Sequence, residues 1–102
     1  MKHAARKPAK VRFVLYVADH ALNSTQAIAN LGALCREHLP GRHEIRIVDV
    51  FEEPKRALAD SVFMTPTLIM LGASPACKVI GTLADTEAVM HALRLGTSAL
   101  AA

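Results

Sequence analysis

The stretch that most constrains the fold is residues 11–18, because it is apolar on both faces of the strand that it predicts. Alternation places Val11, Phe13, Leu15 and Val17 on one face, and Val14, Tyr16 and Ala18 on the other. A strand with two apolar faces needs cover on both of them. We therefore expect an α/β domain in which helices pack on both sides of a sheet and this strand lies in its middle.

The patterns after this strand alternate between helix and strand. Apolar residues recur at helical spacing from Asn23 to Leu39, and Pro40 and Gly41 end that helix. There follow a strand at 44–50, a short helix that begins at Pro54, strands at 67–71 and 78–80 joined by a turn at 72–75, and a last helix from residue 82 or 85 to about 95. The first two strands should be parallel and the last two antiparallel. This order, βαβαββα, predicts a mixed four-stranded sheet in a single domain.

Length and composition fit one folded domain. The chain has 102 residues, of which 52% are hydrophobic and 21% charged. We expect residues 1–10 to be a flexible basic tail, residues 11–96 the folded domain, and residues 97–102 a frayed C-terminus. The net charge of +3 comes largely from that tail, so the charge predicts no nucleic-acid partner.

Targeting signals and cofactor motifs are missing from the sequence. No apolar segment follows the basic tail as in a secretory signal, and no stretch is long enough to span a bilayer. We therefore expect a cytoplasmic protein that has no membrane contact. The five histidines lack metal-site spacing, and there is no glycine-rich phosphate loop. We expect no cofactor, no metal and no catalytic residues.

The Thr65–Pro66 step directly before an apolar strand gives the pattern a resemblance to the thioredoxin-like fold. That resemblance implies a cis peptide bond here, which fixes the start of the third strand. Redox members carry cysteines where the first strand turns into the first helix, since a helix N-terminus lowers a thiol pKa. This turn, residues 19–24, contains no cysteine. Ser24 offers a hydroxyl group, which we interpret as a helix cap.

The two cysteines do not form a redox motif. Cys35 and Cys77 lie far apart in the sequence and outside any C-x-x-C pattern. Cys35 falls on the apolar face of the first helix and is interpreted as a core residue. Cys77 precedes a strand, and we expect it to be more exposed.

Four segments between residues 11 and 95 carry a family resemblance: Leu15-Tyr16-Val17-Ala18 before Asn23-Ser24, Val48-Asp49-Val50 before Pro54, Thr65-Pro66-Thr67-Leu68, and Ile80-Gly81 before Leu83, Asp85 and Glu87. In this order and spacing, they make the chain resemble the KaiB family. The resemblance implies a non-enzymatic regulator that binds the hexameric ATPase KaiC in circadian, stress or related timing signalling. It also implies a fold-switching chain, in which a tetrameric resting form with the order βαββααβ exchanges with the thioredoxin-like form.

A partner surface follows from the same resemblance. It implies that KaiC contacts the second helix and the edge of the second strand, which places partner-binding residues at Arg46, Lys55, Arg56, Asp60 and Ser61. The alternative for each side chain is an ordinary solvated face. On the opposite side of the short helix, Ala57, Leu58 and Val62 are expected to be buried.

Two residues that differ from those of clock-type members affect the balance between the two folds. Ala92 and Arg94 stand where those members have Gly and Asp, and both are better helix formers. The change favours one continuous helix over residues 83–95 by about 1–2 kcal/mol. With Gly81, these residues are our candidate determinants of the fold state, and we predict that the thioredoxin-like form predominates.

Two other functions stay open at this point. One is a redox-inactive thioredoxin-like sensor or adaptor domain for a histidine kinase, and the other is a glutaredoxin-like thiol enzyme. An isolated chain of 102 residues favours the KaiC-binding regulator over the kinase adaptor. We expect a monomer or a dimer, or a tetramer if the resting fold forms.

Overall fold

The computed structural model describes residues 10–72 and 77–94 of the chain. The elements are β1 (Val11–Val17), α1 (Leu22–His38), β2 (His43–Asp49), α2 (Pro54–Ala59), β3 (Thr67–Met70), β4 (Cys77–Ile80) and α3 (Thr86–Ala92). This is the predicted order βαβαββα. The predicted tail, the frayed C-terminus and most of the turn at 72–75 lie outside the described residues.

The sheet has the strand order β2-β1-β3-β4, so that β1 is an interior strand, as predicted. β1 and β2 are parallel, from Val11 opposite His43 to Val17 opposite Asp49. β3 is antiparallel to both β1 and β4. β2 and β4 are the two edges of the sheet.

The two faces of β1 contribute to two separate cores. Phe13, Leu15 and Val17 pack with side chains of α1 and α3 on one side of the sheet. Val14 and Tyr16 pack on the other side, with Val48 of β2, Ala57 of α2 and Val62, which follows α2. The two-sided strand therefore separates a larger layer that holds α1 and α3 from a smaller layer that holds α2.

The start of α1 differs from the prediction. The N-cap position is Ala21, and no side chain caps the helix. Ser24 lies inside the first turn and is buried, and its Oγ accepts a hydrogen bond from the Ala18 N–H at 3.0 Å. The hydroxyl therefore ties the helix to the end of β1 instead of capping the helix itself.

The last helix is shorter than the continuous helix predicted over residues 83–95. Asp85 is its N-cap, and the carboxylate accepts a hydrogen bond from the Ala88 N–H at 3.1 Å. Leu83 lies before the helix at a φ of +65°, and Arg94 lies beyond it at +59°. A residue in the left-handed region just past the last turn is a common way for a helix to end. Arg94 is therefore not a helical residue, and its helix propensity does not apply there.

Candidate partner-binding site

The Thr65–Pro66 peptide bond is cis, and it lies at the end of the sheet where β3 begins. The Thr67 hydroxyl donates to the Met64 carbonyl at 2.6 Å, and the Gly81 N–H donates to the Pro66 carbonyl at 2.9 Å. Gly81 has a φ of +123°, a conformation that residues with a Cβ rarely adopt. The first bond lies within the loop at residues 64–67, here called the proline loop, and the second connects that loop to the residue that follows β4.

The two arginines of the predicted partner surface line one groove. Arg46 lies opposite Val14 in the β1–β2 pair, on the face of the sheet that α2 covers. Arg56 reaches the same groove from α2, and the groove has a volume of about 490 Å³. Arg56 Nη1 lies 3.8 Å from Glu53 Oε1. Strand and helix thus place two guanidinium groups on one side of edge strand β2.

A second cluster of charges lies along the same groove. Glu44 is 3.4 Å from Arg12 Nε and 3.5 Å from Lys10 Nζ, measured from its two carboxylate oxygens. These side chains are exposed, so each ion pair contributes little to stability, about 0–1 kcal/mol. Of the charged side chains that line the groove, three are arginines (Arg12, Arg46 and Arg56) and one is Glu44. The groove therefore carries a net positive charge.

The other three predicted residues lie outside the groove, on α2 and just after it. Lys55 is exposed on the helix, Asp60 is its C-cap, and Ser61 follows at a φ of +58°. The Asp60 carboxylate accepts a hydrogen bond from the Tyr16 hydroxyl. The structure therefore places Arg46 and Arg56 in the groove, Lys55 near the start of α2, and the other two residues at the C-terminal end of the helix.

Sequence reasoning missed Tyr16 and Lys78 as parts of this site. Tyr16 is fully buried in β1, and burial, followed by the hydrogen bond to Asp60, raises its pKa while Arg56 lowers it. One signal in the sequence could have pointed to Tyr16, because a buried tyrosine hydroxyl needs a hydrogen-bond partner. Lys78 Nζ donates to the carbonyls of Asp60 and Ser61 at 3.2 and 3.0 Å. Nothing local in the sequence indicates that contact.

Large apolar side chains are exposed around α2. Leu58, predicted to be buried, is 65% exposed, because the buried side of this short helix consists of Ala57 alone. Phe51 before the helix is 72% exposed, and Phe63 after it is 79% exposed. Large exposed apolar side chains with charged residues near them in the chain fit a protein–protein interface.

Both cysteines are buried in the α1/α3 layer. For Cys35 this confirms the prediction, and burial raises the pKa of its thiol to about 11. For Cys77 the expected exposure is wrong. Its β4 position lies opposite Met70, on the face that packs against the α1/α3 core.

Metal-ligating and membrane-spanning features are missing from the described part of the chain. Within residues 10–72 and 77–94, no three side chains of the His, Cys, Asp and Glu types cluster so that they could hold a metal ion. None of the described helices is long and apolar enough to cross a membrane.

Solved structures define the class of fold. Thioredoxin from Fasciola hepatica is similar with a TM-score of 0.67 and 19% identity, over 86% of this chain and 83% of that one. The N-terminal domain of SasA from Synechococcus elongatus is similar with a TM-score of 0.68 and 13% identity, over 84% and 82% of the two chains. This is a thioredoxin-like domain.

Sequence comparison then gives the family. The KaiB domain model matches residues 14–95. Circadian clock protein KaiB3 from a Synechocystis species is 38% identical over 79 residues, which cover 78% of each chain. Circadian clock oscillator protein KaiB from a Cyanothece species is 34% identical over 90 residues, which cover 86% of each. The chain belongs to the KaiB family.

Proposed function

We propose that this chain is a non-enzymatic regulatory protein that docks on a KaiC-type hexameric ATPase, in circadian or related timing and stress signalling. The observation that carries the proposal is the convergence of Arg46 and Arg56 on one groove. That groove lies beside an open sheet edge and a helix whose surroundings expose large apolar side chains. Charged groups of one sign steer a partner of the opposite sign, while apolar anchors supply affinity.

The state of the thiols supports a role without thiol chemistry. A nucleophilic cysteine needs an accessible thiol with a lowered pKa. Cys35 is fully buried with a raised pKa, and Cys77 is buried in the same core. The turn from β1 into α1 offers the Ser24 hydroxyl instead, and Ser24 is buried and bonded to the backbone.

Direct binding to a KaiC-type ATPase ring tests the proposal. We expect wild type to bind in biolayer interferometry, and the double variant Arg46→Glu/Arg56→Glu to bind at least about tenfold more weakly, because both guanidinium groups change sign. Arg36→Glu/Arg42→Glu is the matched control, since both of these arginines are exposed and lie outside the basic groove. The control should bind as wild type does.

Three outcomes would contradict the proposal. One is a wild-type chain that does not bind the ring in any nucleotide state. Another is binding to a histidine kinase alone, which would make the chain the kinase adaptor; the likeness to the SasA domain concerns the fold and does not favour that role. The third is turnover in an insulin-reduction or glutathione-exchange assay, which would indicate a thiol enzyme.

A further inference from the structure

The helix that carries two of the five proposed partner residues, Lys55 and Arg56, has little packing of its own. α2 is six residues long, and its only buried side chain is that of Ala57. Helices this short are not stable in isolation, because too few hydrogen bonds offset the cost of nucleation. The position and order of α2 must therefore depend on contacts from other elements.

One such contact comes from the middle of the sheet. The Tyr16 hydroxyl on β1 donates to the carboxylate of Asp60, the C-cap of α2. Tyr16 is fully buried, and breaking this bond would leave its hydroxyl in the core without that partner. The bond therefore holds the end of α2 against the α2 face of the sheet.

A second contact comes from the far edge of the sheet. Lys78 lies opposite Ile69 in the β3–β4 pair, and Ile69 belongs to the core on the α2 face. The Lys78 ammonium donates to the carbonyls of Asp60 and Ser61 at 3.2 and 3.0 Å. Asp60 is the C-cap of α2 and Ser61 follows it, and a cation at the C-terminal end of a helix is favoured by hydrogen bonding and by the helix dipole. Lys78 thus caps α2 from an element 17 residues further along the chain.

We propose that Lys78 is a positioning residue for the partner surface, and that Tyr16 shares this role. Lys78 couples the pairing of β4 with β3 to the geometry of α2, so the docking helix is fully ordered only while β4 occupies the sheet edge. The docking part of this inference rests on the proposed function. The intramolecular cap belongs to the free protein and can be tested without a partner.

Hydrogen exchange in the free protein tests the cap. The reporters are the amides of Ser61 and Val62, which donate to the carbonyls of Leu58 and Ala57 at 2.9 and 2.8 Å. In Lys78→Met, which keeps an aliphatic side chain and removes the cation, we expect about tenfold faster exchange at both amides. Protection of the β1 amides should not change. Tyr16→Phe should act in the same direction, and Lys78→Arg should restore protection because it keeps the donors.

Partner binding by the same variants then separates positioning from direct contact. Lys78→Met should weaken binding to the ATPase ring by the factor by which it lowers the fraction of molecules with α2 in place, and Lys78→Arg should restore it. Arg36→Met removes one positive charge from α1, on the opposite layer, and should change neither measurement. Unchanged exchange in Lys78→Met would overturn the inference, even if binding fell. If Lys78→Met exchanges faster but the wild-type chain binds no ring, the cap is upheld and the proposed function is refuted.

Discussion

At the scale of single residues, buried hydroxyl groups on β1 and at the start of α1 form hydrogen bonds within the fold. Tyr16 on β1 and Ser24 in the first turn of α1 are both buried, and the hydroxyl group of each has a hydrogen-bond partner. In redox domains of this fold that turn carries the reactive thiol, whose pKa the helix N-terminus lowers. Here the hydroxyl of Ser24 is committed to the Ala18 backbone. The turn thus contains no cysteine, and its Ser24 hydroxyl stabilises the junction between β1 and α1.

The raised pKa of Cys35 predicts how stability depends on pH. Burial raises this pKa from 9.0 to about 11, so the thiol is harder to ionise in the folded state than in the unfolded state. A group of this kind stabilises the fold fully below the unfolded-state pKa and stops doing so above the folded-state pKa. The free energy of unfolding should therefore fall by roughly 2 kcal/mol as the pH rises from 9.0 to about 11.

Urea denaturation across this pH range measures the effect. Tyr16 contributes in the same direction, because its pKa is also raised. Cys35→Ala should therefore show a smaller fall than wild type but not a flat profile. Equal falls in wild type and Cys35→Ala would contradict the role assigned to the buried thiol.

At the scale of secondary-structure elements, α3 shows how a helix end reverses a prediction based on propensity. Ala92 is the last helical residue, and Arg94 lies two positions further in the left-handed region, where its N–H donates to the His91 carbonyl at 3.0 Å. Propensity counts inside a helix, whereas beyond the helix the cost of a positive φ counts. Helix propensity therefore governs the choice of residue at position 92, and the cost of a positive φ governs it at position 94.

Glycine substitutions two residues apart test this assignment. Ala92→Gly should lower the free energy of unfolding by up to about 1 kcal/mol, the cost of glycine in a helix interior, since Ala92 is the last helical residue. Arg94→Gly should raise it by roughly 0.5 kcal/mol, because glycine adopts a positive φ without strain. Part of the gain is offset because glycine gives the unfolded chain more conformational freedom. Thermal denaturation followed by circular dichroism measures both. Destabilisation of the same size at both positions would place Arg94 inside the helix instead.

At the scale of the whole molecule, the open question is which of the two folds implied by the family resemblance predominates in solution. The thioredoxin-like arrangement pairs β4 with β3 and brings Lys78 to α2. It also joins the end of β4 to the proline loop through the bond from Gly81 to Pro66. All three links join residues within the second half of the chain. We therefore keep the prediction that this fold predominates.

Solution NMR tests that prediction directly. Carbon chemical shifts should be helical over Thr86–Ala92, and cross-strand contacts should appear between Leu68 and Val79. Light scattering should give the mass of a monomer or dimer of the 11.0 kDa chain. A strand across residues 89–94 in a tetramer would contradict it, and a stable tetramer with helical α3 would correct the oligomeric state alone.

The sequence alone determined the central strand, the order of the elements and the family. Period-two and helical spacing, with Pro and Gly at the turns, act over a few residues and are visible in the printed chain. For the same reason the patterns placed Arg46 and Arg56 on β2 and α2 but did not show that both line one groove. The exposed position of Leu58 also escaped them, because burial on so short a helix depends on what packs against it.

Only the tertiary structure decided which side chains complete the proposed partner surface. Tyr16 meets Asp60 across 44 residues of sequence, and Lys78 meets Ser61 across 17. Contacts of this kind follow from strand order and register, which are set by the packing of both faces of β1 at once and not by any local pattern. The local sequence thus specifies the elements, and the long-range packing of the sheet specifies the site.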